Sequence, residues 1–168
     1  MRAVVAAVFA AAVVVGVGSA SRGGFVLRST AFAPGGTVPA RYTCGGANIS
    51  PPLHWRGLPS RARSLAVSVV DRDAPGGSFT HWLAWGIRRS ARRLKAGARL
   101  RLVGMTSAGG IGYTGPCPPP GPPHHYVFRL YALRSPLPLP RGATKPQFDA
   151  ALRGRVLRVA TLIGRYAR

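Results

Sequence analysis

The sequence predicts a mainly β (α+β) domain with one well-defined helix near its C-terminal end. Three observations carry that expectation: short β-branched apolar runs, the Gly- and Pro-rich stretches that separate them, and one segment with helix start and stop signals. With 22 Gly and 16 Pro in 168 residues, turns are frequent, and a long helical bundle or coiled coil is excluded. The length fits one domain rather than two.

In chain order, residues 25–29 and the run SLAVSVV at 64–70 read as strands, being short and β-branched. THWLAWGI at 80–87 and HYVFRLYAL at 125–133 are two more, and residues 99–103 add another. Between them lie APGGTVP, GANISPPL, DAPGG and GPCPPPGPP, whose Pro and Gly forbid regular structure. The helix begins at KPQFDAALRG: Thr144 caps it, Pro146 is tolerated in its first turn and Gly154 ends it. Residues 155–166 return to a β-rich run, and no internal repeat is visible.

Charge narrows the function. There are 24 Lys+Arg against 3 Asp+Glu, a formal +21. All the cations except Lys95 and Lys145 are arginines, there is no Glu, and the only acids are Asp71, Asp73 and Asp149. Chemistry that needs several carboxylates is therefore excluded. The arginines are scattered rather than gathered on one face with stacking aromatics. Only Arg88-Arg89 and Arg92-Arg93 form a small cluster, beside Lys95 and Arg99. No specific nucleic-acid partner is expected. The net charge does draw the chain to anionic surfaces, acidic membranes among them, at low salt.

Residues 1–20 have the layout of a secretory signal peptide. Arg2 precedes an apolar run, and Gly18-Ser19-Ala20 offers small residues for cleavage. The run falls short of the roughly 20 residues that span a bilayer, and no Cys follows it for lipidation. The expectation is a secreted or periplasmic protein with a mature domain at 21–168; an uncleaved membrane anchor is the alternative. In an oxidising compartment Cys44 and Cys117 are candidates for a disulfide, with two free thiols as the other reading. Their separation does not suit a zinc site, and no metal is expected.

Two segments offer chemistry. Asp71 and Asp73 stand together in DRDAP directly after a buried-looking strand, with His81 in the next one. The second runs from Gly115 through Cys117, Pro118 and Pro119 to His124, His125 and Tyr126, a proline-locked backbone ending in hydrogen-bonding side chains. A rigid loop of that kind suits a preformed small-ligand pocket. Taken alone, the first segment also fits an acid-capped turn and the second a plain connector.

Together with RYTCGGANISPPLHW (41–55) and GRVLRVATLIGRY (154–166), the stretches VVDRDAPGGSFTHWLAWGI (69–87) and GYTGPCPPPGPPHHYVFRLYAL (112–133) resemble the phosphatidylethanolamine-binding protein family, in its bacterial Raf-kinase-inhibitor-like branch. The resemblance covers nearly all of the mature chain in the family's order. It implies a large central β-sheet packed on a smaller sheet, and a small anion pocket that accepts phosphate-like groups, phospholipid head groups included. By matching motif positions, Asp71 stands in the pocket beside His81, Gly115 to Pro119 form its rim, and His124 and Tyr126 its other wall. Asp73 matches the second acid of the motif, and Ala74-Pro75 is a candidate cis peptide.

The expected function is an exported, non-catalytic protein binding a phosphate- or carboxylate-bearing small ligand or head group, with no cofactor. His81, His124 and Tyr126 supply donors, and Asp71 orients an imidazole. No G-x-S-x-G elbow is present, and Cys117 is hemmed in by prolines. The alternative is a secreted adaptor for, or inhibitor of, another protein, an unknown partner in either case.

Overall fold

The computed structural model describes residues 24–168; the signal-peptide reading of residues 1–20 lies outside them. The elements run β1 (Val26–Arg28), β2 (Leu53–Arg56), β3 (Ser64–Asp71), β4 (Phe79–Arg88), β5 (Arg93–Leu94), β6 (Leu102–Val103), β7 (His124–Leu133), α1 (Lys145–Leu152) and β8 (Val156–Tyr166), with a 3-10 turn at Ala40–Tyr42. They form a five-stranded sheet of order β6-β4-β3-β7-β8 and a three-stranded sheet of order β1-β2-β5. Every pairing between these strands is antiparallel.

Strand β3 is buried at every position, because both faces of the large sheet are covered. That is why its sequence reads as a continuous apolar run rather than an alternating one. Leu65, Val67 and Val69 join the core against the small sheet, with Leu27, Trp55, Trp82, Phe128 and Leu162. Ala66 joins a second core with Leu83, Trp85, Tyr131 and Phe148 beneath α1. Strand β8 alternates instead, burying Ala160 and Leu162 and exposing Val159 and Ile163, as a strand at the sheet edge does.

Helix α1 has the predicted cap. The Gln147 N–H donates to the Thr144 hydroxyl while the Thr144 N–H donates to the Gln147 side chain, a reciprocal capping box. Gly154 follows it with φ 69°. The helix is anchored by Phe148, whose ring lies 6.0 Å from Trp85 and 5.9 Å from Tyr131. Strands β2 and β5 were not foreseen, being four and two residues long. Among the described residues no helix is long and apolar enough to cross a membrane.

Register brings three sequence-distant segments to one end of the large sheet. Asp71, the last residue of β3, faces Phe79 of β4 and Tyr126 of β7. Val69 pairs with Trp82 and Val70 with Thr80, so His81 between them has no partner on β3. It is the extra residue of a bulge, a device that re-aims a side chain near a site.

Candidate functional site

At this sheet end lies a cavity of about 110 Å³ lined by Asp71, His81, Gly115, Pro118, Pro119 and His124 among the expected residues, with Ala74, Pro75, Phe79, Thr114 and Cys117 completing it. Pockets for drug-sized ligands run from about 300 Å³ upward, so this one admits only a small chemical group.

Asp71 is the organising residue. It is buried, and one carboxylate oxygen accepts from the Asp73 N–H at 2.9 Å. The other accepts from His124 Nδ1 at 2.7 Å. His81 is fixed in the same sense, because its Nδ1 lies 2.7 Å from the Thr114 carbonyl oxygen. A carbonyl only accepts, so that nitrogen carries the proton. In both rings Nδ1 is therefore committed to an acceptor, and Nε2 is the atom left for a ligand. Burial lowers the His81 pKa, partly offset by the Thr114 carbonyl and the Asp71 charge. The ring is thus neutral near pH 7, its Nε2 an acceptor that becomes a donor on protonation.

The other expected residues lie just outside the cavity lining. Asp73 is on the outer side, accepting from His125 Nδ1 at 2.8 Å and from the His125 N–H at 2.6 Å. Those hydrogen bonds hold its carboxyl below the usual carboxylate range. Tyr126 stands behind the wall, its ring 5.2 Å from that of His81. Its hydroxyl is buried and makes no hydrogen bond among the described residues. Burial first, and then the Asp71 charge, push the phenol pKa up, so it stays protonated.

Correction is needed at the Ala74-Pro75 peptide, which is trans, as are all peptides of the described residues. The Gly77 N–H donates to the Ala74 carbonyl at 3.0 Å, and Gly76 has φ 86°. That is a type II turn, with Pro75 at its second position and glycine at the third; a trans proline satisfies it.

The rim is held from behind. The Gly115 N–H donates to Asn48 Oδ1 at 2.7 Å, the Cys44 N–H to the Pro116 carbonyl at 3.0 Å, and the Tyr113 hydroxyl to the Tyr42 carbonyl at 2.8 Å. Cys44 and Cys117 are joined by a disulfide. A Cβ on Gly115 would stand 2.6 Å from the Tyr42 carbonyl oxygen, so only glycine fits there. Asn48 was not foreseen. It has φ 52°, a conformation Asn tolerates better than most residues, and its position in GANISPPL was the available signal.

Fold and site together define a two-sheet β protein with a small His/Asp-lined pocket at one end of its large sheet. A profile described as "PBP: Phosphatidylethanolamine-binding protein" matches residues 28–167, and the chain belongs to that family. It is 45% identical over 149 residues to a "UPF0098 protein" of Methanothermobacter thermautotrophicus, covering 84% of this chain and 98% of that one. It is 41% identical over 146 residues to a "UPF0098 protein" of Chlamydia muridarum, covering 83% and 97%. Among solved structures it is similar to a putative phosphatidylethanolamine-binding protein homolog of Chlamydia trachomatis. The TM-score there is 0.82 at 36% identity, over 86% of this chain and 98% of that one. A second, Escherichia coli YBCL, is described as a new member of the mammalian family and gives 0.81 at 28% identity, with the same coverage.

Proposed function

We propose that this family member is a non-catalytic binding protein whose pocket takes a phosphate- or carboxylate-bearing group, a phospholipid head group included, and that it acts outside the cytoplasm. The observation that carries the reading is the pair of imidazoles whose Nδ1 atoms are committed to Asp71 and Thr114, in a cavity that admits a small chemical group. A ligand anion accepts from Nε2–H of a protonated ring, or its own P–OH donates to Nε2 of a neutral one. Either way, complex formation retains a proton that a free dianion and neutral rings would lack.

The non-catalytic reading is supported by how the one candidate nucleophilic sulfur is used. The Cys117 sulfur is in a disulfide and cannot serve as a thiolate nucleophile. Export is supported by the same disulfide, a feature of oxidising compartments. At an acidic membrane each arginine near the surface adds about 1 kcal/mol of attraction, so the charge of +21 concentrates the protein where head groups are.

The test is calorimetric titration with phosphorylethanolamine and with inorganic phosphate at about 0.15 M salt, where charges beyond roughly 8 Å are screened. Saturable binding that disappears in His124→Ala supports the pocket. Binding that ignores the substitution and fades with salt refutes it and moves the adaptor reading to first place.

A further inference from the structure

We infer that the Cys44–Cys117 disulfide is a thiol–disulfide exchange site that gates the pocket, external dithiols opening it and thereby weakening ligand binding. The inference rests on the pocket reading above and adds a modification site to it.

Location carries the first part. Both cysteine residues are exposed and Cys117 lines the cavity, so the disulfide sits at the surface on the rim of the pocket. Beyond Pro116 the loop it tethers has few backbone donors with which to hold itself. Residues 116, 118, 119, 120, 122 and 123 are proline, leaving only Gly115, Cys117 and Gly121 with backbone N–H groups between Gly115 and Pro123. Prolines stiffen the loop locally but do not fix where it sits. That task falls to the disulfide, the Gly115–Asn48 bond and the Cys44–Pro116 bond, all of which fasten the rim to the segment 44–48.

The coupling to the ligand runs through Thr114. Its carbonyl orients the His81 ring, and its N–H donates back to the His81 carbonyl at 2.9 Å. Freeing the loop one residue further on lets that carbonyl move, and His81 loses the acceptor that keeps Nε2 toward the ligand. Binding must then order the loop as well as the ligand.

The exchange has a direction. An Arg168 Nη1 lies 3.6 Å from Cys117 Sγ, so a thiolate there is stabilised and Cys117 is the better leaving group. One thiolate of the dithiol attacks Cys44 Sγ, forming a mixed disulfide and breaking the Cys44–Cys117 bond. Cys117 departs as a thiolate. The second thiolate of the reagent then attacks the reagent sulfur of the mixed disulfide and expels Cys44. The reagent ends as a cyclic disulfide, having lost two electrons, and its two protons go to the cysteines or to solvent.

The experiment compares the full chain oxidised and after dithiothreitol at constant pH and salt, by phosphorylethanolamine calorimetry and by hydrogen exchange. Reduction is expected to weaken binding about tenfold or more, an amount comparable to ordering one extra residue. It should also speed exchange of the Gly115 amide while α1 amides stay unchanged. Cys44→Ser/Cys117→Ser should match the reduced form and ignore dithiothreitol. Brief glutathione treatment should trap the adduct on Cys44, and on neither sulfur preferentially in Arg168→Gln. Equal affinity with unchanged Gly115 exchange overturns the gate, and an adduct on Cys117 overturns its direction. If the oxidised chain does not bind phosphorylethanolamine at all, the pocket reading fails, and Gly115 exchange alone decides whether the loop is released.

Discussion

The Asp71 carboxylate and the His124 imidazole meet at 2.7 Å from adjacent strands, 53 residues apart in sequence. One turn outward, Asp73 and His125 repeat the pairing in the open. The D-x-D at the end of β3 and the His-His at the start of β7 thus form two ladders, one facing the cavity and one facing solvent. Alternation along β7 separates their tasks, and only the inner pair is buried.

Asp71→Asn is expected to destabilise the fold by about 1–3 kcal/mol. The carboxylate accepts two hydrogen bonds on different oxygens, from the Asp73 N–H and from His124. An amide has one oxygen, so one donor faces an NH₂. Urea unfolding followed by fluorescence measures the loss, and a stability equal to wild type contradicts it.

Ligand affinity should fall as pH rises through the histidine range. Binding a phosphate dianion favours a proton on His81, whose burial disfavours that proton in the free protein, so each proton taken up contributes up to about tenfold per pH unit. Titrations at about pH 5.5 and 8.5 with ionic strength held fixed check the sign. Equal affinity at both would mean that neither ring donates.

Without ligand, stability should fall on acidification, and His81 should be one cause. Its folded pKa lies below the ordinary histidine value of 6.5 because the ring is buried. Its contribution is complete above the unfolded pKa and is lost as pH falls from about 6.5 toward the folded value. His81→Gln keeps a donor for the Thr114 carbonyl but cannot titrate. Melting temperatures at about pH 7.5 and 5 should therefore differ less in the variant than in wild type; an equal difference contradicts the assignment.

Much of this was legible in the chain, and the remainder failed for physical reasons. Strands β3, β4 and β7 announce themselves because long buried strands need apolar runs, β8 because it is long and β-branched, and α1 because Thr144, Pro146 and Gly154 each have a job at a helix end. β2 and β5 are too short to set up a period. Within the site, Asp71, His81 and His124 carried their chemistry in their residue types. Asp73 and Tyr126 were placed at the pocket by the family resemblance, but Asp73 lies past the end of β3 and pairs with His125 at the surface, while Tyr126 is buried behind His81. Phe79 went unnoticed because the expected strand began at Thr80 and left it in the Gly-rich loop before, and Asn48 because its role rests on a backbone conformation.

Gly115→Ala tests the rim by crowding. The added methyl would meet the Tyr42 carbonyl at 2.6 Å, and Asn48 Oδ1 and Thr43 Cα at 2.8 Å. Overpacking of this kind costs about 1–3 kcal/mol, and here it should weaken ligand binding as well. Thr144→Ala is the companion. Losing the α1 cap should cost about 1 kcal/mol and leave affinity untouched, since the helix packs beneath the sheet away from the pocket. Comparable affinity losses in the two variants would mean that binding follows global stability rather than the rim.

The central claim, that two imidazole Nε2 atoms receive the ligand, is tested most directly by nitrogen NMR of the four histidines during a phosphorylethanolamine titration. The account predicts that the Nε2 resonances of His81 and His124 move together and saturate, while their Nδ1 resonances, committed to Thr114 and Asp71, move little. Responses confined to the exposed His54 and His125, or none at all, would contradict it.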